Sequence, residues 1–361
     1  MKFMCRIMQH CFGKPGSGGP IVAFERLLAH STLSYSQIRQ TEPAGGLNFA
    51  IIRHFISEIR AHRPDLIHIR GLGNEGFHAA LAAWLAGVPN ILVSVHGTKR
   101  DLKQPGNYLR IWIITYILES LTLLIATHIA TVCEFAANRR FLAPYRHKFV
   151  GTVPNGVMIP NIASISDIDL RARWGISENW TLGICVSRLT EEKGYSVLAQ
   201  ALAYLDGNIH NFAVLVVGGG DKDGRIESRF SSLSNIKVRF TGHQKDVGSF
   251  LAASDFFLFP SLHENLSNAL IEAMSYGLPA IASAVGGNSE VLAKGGGILI
   301  PVGNAEALAN AISHFLADPE AVKRMGKEAR QNIQNHYSVK GMVAGWESVY
   351  TRILESRHGK A

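Results

Sequence analysis

Two glutamates in the second half of the chain stand eight positions apart, in a setting where both could bind a hydroxylated ligand. An apolar run, Phe256–Pro260, predicts a strand, and Ser267 or Asn268 is a good N-cap for the helix that must follow. Glu264 then falls in the intervening loop and Glu272 on the first or second turn of that helix. Carboxylates accept hydrogen bonds from vicinal hydroxyls, so one glutamate can bind a ribose and the other a hexose. An exposed loop acid and an acid that stabilises the helix dipole explain the pair equally well.

A cationic pair, Arg188 and Lys193, follows an earlier apolar run, Leu182–Ser187. Arginine offers a planar fork of donors and lysine a mobile point charge, so at the end of a strand the two can neutralise a diphosphate. The alternative is a solvated helix start in which both cations pair with Glu191 and Glu192. On spacing alone this alternative is favoured, because surface ion pairs are common.

A glycine-rich segment, Gly16-Ser-Gly-Gly-Pro20, stands near the start of the chain between a predicted strand and a predicted helix. Gly18 and Gly19 let the backbone approach a ligand closely, and the N–H groups of the following helix can bind a phosphate or a sugar hydroxyl. A tight turn without a ligand is an equally good interpretation. The segment is neither a GxGxxG fingerprint nor a P-loop.

Short apolar runs alternate with longer helical patterns along the whole chain, which is typical of βαβ units around parallel sheets. The predicted strands are Phe3–Gln9, Leu66–Arg70, Ile91–His96, His128–Val132, Leu182–Ser187, Ala213–Val217, Val238–Thr241, Phe256–Pro260, Ala280–Ala282 and Gly297–Ile300. The predicted helices of the first half are Ile21–His30, Phe49–Arg63, Gly76–Ala86 and Tyr108–Leu124. The pattern predicts an α/β fold with two doubly wound sheets.

The length of 361 residues, 47% of them hydrophobic and 18% charged, fits two globular domains and excludes a disordered tail or a coiled coil. The stretch between Gly151 and Asp169 contains Pro and Gly and has no hydrophobic periodicity, so the boundary between the two domains is predicted there. We expect domains at 1–158 and 159–341, with a C-terminal helix at about 342–358 that packs back onto the first. In such folds ligands bind at the carboxyl ends of the strands, so two facing domains form a cleft there.

These motifs together resemble the retaining glycosyltransferases of family 4. The resemblance rests on the order and spacing of Arg188, Lys193-Gly194, Glu264, Glu272-Ala-Met and Gly286-Gly287-Asn-Ser-Glu290, with Asn155-Gly156-Val157 and Gly18-Gly19 also matching. It covers essentially the whole chain. It implies the GT-B fold, in which two Rossmann-like domains face a cleft, the first on the acceptor side and the second binding the nucleotide sugar.

The resemblance also implies roles for individual residues. Arg188 and Lys193 would hold the donor diphosphate, and Glu264 and Glu272 would contact the donor sugar and the ribose. The family's phosphate-binding backbone amides match Asn265, Leu266 and Ser267, its N-terminal glycines match Gly18 and Gly19, and a histidine near the reacting sugar resembles His96. His96 also fits a hydrogen-bonded core histidine. Asn265 replaces the family's common glycine, and asparagine tolerates left-handed backbone well.

The implied activity is transfer of a sugar, with retention and without a metal or other cofactor, from a UDP- or GDP-linked donor to a hydroxyl of a glycan or lipid-linked acceptor. Bacterial surface polysaccharide or lipopolysaccharide biosynthesis is the expected setting. A nucleotide-sugar epimerase and a glycogen-synthase-like enzyme of the same fold are alternatives. A noncatalytic polyanion-binding protein is an alternative of another class, although no aromatic platform or recognition motif favours nucleic acid.

The formal charge of +8 is concentrated in the first domain, where residues 1–158 hold 17 Lys and Arg against 8 Asp and Glu. The densest basic cluster comprises Lys99, Arg100, Lys103 and Arg110, and apolar residues 111–114 follow it. This combination predicts peripheral contact with an anionic membrane, and an ordinary basic surface explains it equally well. The most apolar stretch, 111–130, carries Glu119 and His128, which favours a buried helix entering a strand over a membrane span.

Two further features bear on compartment and metal binding. Four scattered cysteines without a CxxC pair fit a reducing cytoplasm, and we expect the protein there, at the inner face of the membrane if it binds lipid. Asp221-Lys-Asp223 is a DxD triplet of the kind that binds a metal-bound diphosphate in another glycosyltransferase fold. Two carboxylates make a sparse oxygen shell, so no metal site is predicted.

Overall fold

The chain divides into two compact units, each built around one six-stranded parallel sheet. The computed structural model describes residues 6–16, 18–98, 100, 108–162, 165 and 170–358. The first unit combines Met1–Gly156 with Val339–Ala361, and the second is Val157–Ser338. Helices connect the parallel strands throughout, so the prediction of two doubly wound α/β sheets is confirmed.

The first sheet has the order β2-β1-β3-β4-β5-β6. Its strands are β1 Ile7–Phe12, β2 Tyr35–Gln40, β3 Leu66–Arg70, β4 Ile91–Val95, β5 His128–Thr131 and β6 Phe149–Thr152. The connecting helices are α1 Gly19–His30, α2 Phe49–His62, α3 Asn74–Leu85, α4 Tyr108–Trp112, α5 Glu119–Ile125 and α6 Glu134–Ala137. A π-helical turn, Ile113–Leu118, joins α4 to α5, and a 3₁₀ segment, Arg140–Lys148, precedes β6.

Burial explains why the central strands of this sheet form. Every residue of β3 and β4 is buried, as expected for parallel strands covered by helices on both faces. The helices are fixed by local signals such as Asn48, whose side chain accepts hydrogen bonds from the N–H groups of Ala50 and Ile51 at the start of α2.

The last helix of the chain, α14 Val339–His358, belongs to the first unit. Its side chains Trp346 and Tyr350 are buried in a cluster with Ile7, Leu66 and Leu92 from the first sheet. The C-terminal segment therefore contributes to the core of the domain that begins the chain.

Three sequence predictions for the first unit need correction. β1 extends to Phe12, three residues beyond the predicted end, and the predicted positions 3–5 lie outside the described residues. β2 and β6 were not predicted; they lie at the two edges of the sheet, where solvent exposure removes the need for an apolar run. The helix within 108–125 is not buried, since one side of it exposes large apolar side chains.

The second sheet has the order β12-β11-β10-β7-β8-β9. Its strands are β7 Thr181–Val186, β8 Phe212–Val217, β9 Lys237–Gly242, β10 Phe256–Phe259, β11 Ala280–Ser283 and β12 Gly297–Ile300. Its helices are α7 Leu170–Arg173, α8 Tyr195–Leu205, α9 Gly248–Ala252, α10 Asn268–Ser275, α11 Asn288–Leu292, α12 Ala305–Ala317 and α13 Pro319–His336, with short 3₁₀ turns at Glu191–Lys193 and Glu227–Phe230. All six strands coincide with predicted runs to within one or two residues at each end.

One hydrophobic core holds α8 and α12 against the second sheet, and within it the Phe256 ring contacts the rings of Phe212 and Phe315. β7 and β10 are neighbours in the sheet. Because parallel strands share one carboxyl edge, the loops that follow these two strands must lie close together. No helix in the described part of the chain has both the length and the apolar character needed to cross a membrane.

Candidate functional site

A salt bridge joins the loops that follow β7 and β10. Lys193 lies in the loop between β7 and α8, and its Nζ is 2.6 Å from Glu264 Oε1 in the loop between β10 and α10. The side chains are 16% and 11% exposed, so both charges are largely removed from water. Ser261 Oγ donates a second hydrogen bond, 2.9 Å long, to the same carboxylate oxygen. The structure therefore brings together two residues that the sequence places 71 positions apart.

Backbone contacts lock the same two loops together. The N–H of Leu262 donates to the carbonyl oxygen of Glu192 at 2.8 Å, and Ser261 Oγ lies 3.1 Å from that oxygen. Gly194, with a φ of 75°, packs so closely that a Cβ there would overlap the carbonyl oxygen of Pro260. The glycine beside Lys193 is thus required both by its left-handed backbone and by this close approach.

A third loop, which follows β11, packs on Glu264 from another side. Gly286 has a φ of 57°, and a Cβ there would overlap the carbonyl oxygen of Glu264. The N–H of Gly287 donates to the carbonyl oxygen of Asn265 at 2.5 Å. Asn265 itself has a negative φ, because Arg63 and Asn211 are the non-glycine residues with positive φ in the described chain. Asn265 therefore does not use the left-handed conformation that asparagine tolerates.

The N-terminus of α10 directly follows the loop that begins at the end of β10 and carries Glu264. Of the two predicted caps, Ser267 and Asn268, it is Ser267 that caps the helix, by accepting a hydrogen bond, 3.3 Å long, from the N–H of Leu270. Leu266 and Ser267 are buried, and Asn265 is partly exposed. Such a terminus carries a partial positive charge and orients N–H groups toward an anion.

Glu272 lies on the second turn of α10 and is partly exposed. Burial, followed by the negative charges of Glu272 and Asp246, raises the pKa of Tyr276, so Glu272 and Tyr276 share one electrostatic environment. The position on the second turn fits the geometric expectation for this glutamate.

Arg188 does not join Lys193 and Glu264. Its NH2 lies 3.1 Å from Glu192 Oε1, and its side chain is 74% exposed. Of the surface ion pairs offered as the alternative interpretation, this one forms, whereas Lys193 pairs with Glu264 and Glu191 pairs with Arg229. A weak, solvent-exposed pair such as Arg188–Glu192 exchanges easily for a stronger anion.

The first unit holds the remaining predicted residues. Gly18 has a φ of 86° and caps α1, and its carbonyl oxygen accepts from the N–H of Val22 at 3.2 Å, while Gly19 begins the helix. His96 directly follows β4, and its Nε2 lies 3.1 Å from Ser94 Oγ. Burial, aided by the charge of Arg70, lowers the pKa of His96 to about 3, so its imidazole is neutral.

Sequence reasoning missed a set of buried polar side chains on neighbouring strands of the first sheet. Gln9 and His10 on β1 and His68 and Arg70 on β3 are at most 5% exposed. Burial lowers the pKa of His10 to about 4 and that of His68 well below its ordinary value. The signal available in the sequence was the occurrence of polar residues inside runs that otherwise predict buried strands.

The other predicted charged motifs have structural roles. Asp221 Oδ2 accepts from the N–H groups of Ile226 and Glu227 at 2.8 and 2.9 Å, and Asp223 lies 3.8 Å from exposed Arg225. The described residues contain no group of three or more His, Cys, Asp or Glu side chains that could hold a metal ion. The DxD triplet thus stabilises a surface turn.

The predicted basic cluster is only partly described. Arg100 donates from Nε to buried Glu119 at 3.1 Å and from NH2 to the carbonyl oxygen of Thr115 at 2.6 Å. It is therefore a structural residue that satisfies a carbonyl group of the π-helical turn, not a free surface cation. Lys99 and Lys103 lie outside the described residues, and nothing is described of the Arg110 side chain.

Comparison with known proteins gives the same family for both units. The profile of Glycosyl transferases group 1 matches residues 166–332, and that of Glycosyltransferase Family 4 matches residues 16–159. The UDP-Gal:alpha-D-GlcNAc-diphosphoundecaprenol alpha-1,3-galactosyltransferase of Escherichia coli is 27% identical over 308 residues, covering 83% of this chain and 78% of that protein. The capsular polysaccharide biosynthesis glycosyltransferase CapM of Staphylococcus aureus is 23% identical, covering 82% and 79%.

A solved structure extends the similarity to the fold. A glycosyltransferase from Rickettsia africae matches with a TM-score of 0.76 at 20% identity, covering 98% of this chain and 99% of that one. With both family profiles matched in order, the fold of each unit agrees with the resemblance seen in the motifs. The chain belongs to the group 1 glycosyltransferases of the family 4 type.

Proposed function

We propose that this glycosyltransferase moves a sugar from a UDP- or GDP-linked donor to a hydroxyl of a glycan or lipid-linked acceptor, with retention and without a metal. The observation that carries the proposal is the Lys193–Glu264 pair beside the N-terminus of α10. It combines a cation for a diphosphate, a carboxylate for sugar hydroxyls and a positive helix end within one set of loops. Bacterial surface polysaccharide or lipopolysaccharide biosynthesis is the proposed setting, in line with the relative named for capsule synthesis.

In the proposed reaction, negative charge grows on the leaving diphosphate. Lys193, the amides of Asn265, Leu266 and Ser267, and Arg188 once released from Glu192 stabilise that charge. Glu264 accepts hydrogen bonds from the sugar and Glu272 from the ribose. The amides of Gly18 and Gly19 contact the donor, and the role proposed for His96 is to donate a hydrogen bond to an oxygen of the sugar. Retention is proposed to follow from attack on the face that the phosphate leaves, with the phosphate accepting the acceptor's proton.

The test is release of nucleotide diphosphate from a panel of uridine, guanosine and adenosine diphosphate sugars. The first acceptor to try is N-acetylglucosamine on a polyprenyl diphosphate, the acceptor type named for the Escherichia coli relative. We expect release from one nucleotide class only when acceptor is present, undiminished by EDTA, and an α-linked product by NMR from an α-linked donor. Interconversion of two donors without acceptor would instead identify an epimerase. Binding of polyanions without turnover of any donor would favour the noncatalytic alternative.

We also propose that the enzyme binds the surface of an anionic membrane through the first unit. The observation is an apolar helix side on which Leu109, Trp112, Tyr116 and Leu124 are each more than half exposed. The 3₁₀ segment Arg140–Lys148, which contains no acidic residue, packs beside this helix. An apolar strip beside exposed cations is the pattern of an interfacial helix.

A further inference from the structure

A continuous chain of hydrogen bonds runs through the interior of the first unit and ends at His96. Its first part joins β1, β3 and α14. Arg70 NH1 donates to Gln9 Oε1 at 2.8 Å, and Gln9 Nε2 donates to the hydroxyl of Tyr350 at 3.1 Å. That hydroxyl lies 2.7 Å from Nδ1 of His68. All four residues are at most 5% exposed, so these bonds form away from water.

The second part of the chain joins β3 to the residue after β4. His68 Nε2 lies 2.9 Å from Ser94 Oγ, and the same oxygen lies 3.1 Å from His96 Nε2. The other ring nitrogen of His96, Nδ1, is shielded from solvent and has no hydrogen-bond partner among the described residues. Four hydrogen bonds thus separate Gln9 from His96, and the chain ends on a nitrogen without a partner.

The direction of every bond in this chain follows from its first member. A guanidinium group only donates, so the oxygen of the Gln9 amide must face Arg70 and its NH2 must face Tyr350. Among the described residues, the Tyr350 O–H has no acceptor other than Nδ1 of His68, because the Gln9 NH2 only donates to it, so the O–H donates to Nδ1. Because His68 is neutral, its proton lies on Nε2 and is donated to Ser94.

The same rule fixes the last step. Ser94 Oγ accepts from His68, and among the described residues its own O–H has no acceptor other than Nε2 of His96, so it donates there. Since His96 is also neutral, its one ring proton must lie on Nδ1. A shielded N–H without a partner destabilises a protein unless a ligand accepts from it.

We propose that this chain holds His96 as the Nδ1–H tautomer, so that its imidazole offers a hydrogen-bond donor to an oxygen of the sugar substrate. Gln9, His68, Ser94 and Tyr350 are then positioning residues, which act through His96 without contacting the substrate. The inference rests on the proposed function for the role of His96. It assigns α14 a part in the reaction, because Tyr350 comes from that helix.

Gln9→Glu provides the sharpest test, because it should reverse the whole chain without changing its length. Both oxygens of a glutamate accept, so one would face Arg70 and the other would accept from Tyr350. Tyr350 would then accept from Nδ1–H of His68, His68 would accept from Ser94, and Ser94 would accept from Nε2–H of His96. Nδ1 of His96 would become an acceptor.

The tautomer can be read directly by ¹⁵N NMR of the full chain labelled at histidine, with the His96 signals assigned from a His96→Gln variant. We expect protonated Nδ1 in the wild type and protonated Nε2 in Gln9→Glu. The proposal is overturned if wild-type His96 carries its proton on Nε2, or if Gln9→Glu leaves the proton on Nδ1.

Tyr350→Phe supplies a second variant, which keeps the buried ring and removes the hydroxyl. Without that hydroxyl the direction of the chain is no longer imposed, so His96 should populate both tautomers; a proton that stays entirely on Nδ1 contradicts the proposal. The matched control is Tyr35→Phe. Tyr35 contacts the Tyr350 ring edge-on, but its hydroxyl bonds to Ser31 outside the chain, so its loss should leave the tautomer unchanged.

Turnover then separates this inference from the proposed function. With the tautomer reversed in Gln9→Glu, we expect kcat to fall about tenfold or more, and the Kd of free nucleotide diphosphate to stay within twofold of the wild type, as for loss of one hydrogen bond to the reacting sugar. If the tautomer reverses and kcat is unchanged, the series of hydrogen bonds is confirmed, but the proposed role of His96 in sugar transfer is wrong. If Gln9→Glu leaves the His96 tautomer unchanged, the proposed series of hydrogen bonds is wrong, whatever the activity of the variant.

Discussion

Lys193 Nζ and Glu264 Oε1, 2.6 Å apart, form an ion pair that joins the loops after two neighbouring strands of the second sheet. Because both side chains are at least 84% buried, removing either one leaves the other charge without its counter-ion. The pair is thus both a structural link between the loops and the cationic part of the proposed diphosphate site.

Lys193→Ala should therefore slow sugar transfer about a hundredfold, as for the loss of one electrostatic contact to a leaving group. A thermodynamic cycle with Glu264→Ala, followed by urea unfolding, should give a coupling free energy of about 0.5–3 kcal/mol. Lys327→Ala, at an exposed position on α13, is the control and should change neither quantity. If Lys193→Ala keeps the wild-type kcat, Lys193 does not stabilise the leaving diphosphate.

Glu272→Ala should weaken donor binding more than it slows the chemical step. If Glu272 accepts from the ribose, its loss should raise the Kd of free nucleotide diphosphate about tenfold, the usual effect of one charged hydrogen bond. Isothermal titration calorimetry measures this without an acceptor. Glu328→Ala, which removes an exposed acid from α13, controls for the change in net charge. Equal affinity in the two variants would show that Glu272 does not bind nucleotide.

Gly286→Ala should displace the loop that carries Glu264. The added Cβ would overlap the Glu264 carbonyl oxygen and would also force alanine into a left-handed conformation. Gly303 has a comparable φ of 74° but open space around it, so Gly303→Ala isolates the conformational cost, about 1–2 kcal/mol.

We expect Gly286→Ala to lose more unfolding free energy than Gly303→Ala and, alone of the two, to lose affinity for nucleotide diphosphate. Denaturant unfolding and calorimetry on both variants make the comparison. Unaltered nucleotide binding in Gly286→Ala would mean that the Glu264 loop does not form the site.

The sequence predicted the second unit better than the first for a physical reason. Each strand around the proposed nucleotide site has an apolar run bounded by turn residues, and so each was found. β2 has the sequence Tyr-Ser-Gln-Ile-Arg-Gln at a sheet edge, with Ile38 and Gln40 buried, Tyr35 and Ser36 partly buried, and Gln37 and Arg39 exposed. Edge strands need little hydrophobicity, so no periodic signal marks them.

No local sequence pattern could predict the chain of hydrogen bonds that ends at His96. Gln9 and Tyr350 are 341 positions apart, and their contact depends on α14 returning to the first sheet. Lys193 and Glu264 each had a recognisable sequence context, but their pairing depends on β7 and β10 being neighbours, which the order of elements along the chain does not fix. The sequence thus predicted which side chains could bind a ligand, but not which distant residues they contact in the folded protein.

Three histidines whose pKa is lowered should make the first unit sensitive to acid. The pKa is lowered to about 4 for His10, to about 3 for His96 and well below the ordinary value for His68, in each case chiefly by burial. Below about pH 6.5 the unfolded chain binds protons that the folded chain does not. The unfolding free energy must then fall as the pH falls. His10 and His96 each contribute about 1.4 kcal/mol per pH unit between about pH 6 and 4, and His68 contributes in the same direction.

His10→Met isolates one of these contributions, because neither ring nitrogen of His10 has a hydrogen-bond partner in the described structure. The difference in unfolding free energy between variant and wild type should shift in favour of the variant by about 1.4 kcal/mol for each unit of acidification below about pH 6. Urea unfolding at pH 7, 6 and 5 measures it. A difference that is constant with pH would mean that His10 binds a proton as readily in the folded protein as in the unfolded chain, and would contradict the lowered pKa.

The exposed apolar side of the helix within 108–125 leads to the last prediction. Trp112 and Leu124 are 51% and 63% exposed, and Tyr145 of the neighbouring basic segment contacts the Ser120 carbonyl oxygen from 3.3 Å. Replacing both apolar residues in Trp112→Ser/Leu124→Ser removes area that would enter the lipid, so partitioning into vesicles of phosphatidylglycerol and phosphatidylethanolamine should fall at least about tenfold.

Vesicle flotation measures this partitioning, and two comparisons identify its cause. Trp84→Ser removes a side chain that is 60% exposed on α3, outside this helix, and should leave partitioning unchanged. Arg140→Glu/Arg146→Glu should weaken binding to the anionic vesicles, and binding to uncharged phosphatidylcholine should be weak for every variant, because the cations act through the surface potential. If wild type and Trp112→Ser/Leu124→Ser float equally, the apolar helix side does not bind membrane, and the acceptor must reach the enzyme by another surface.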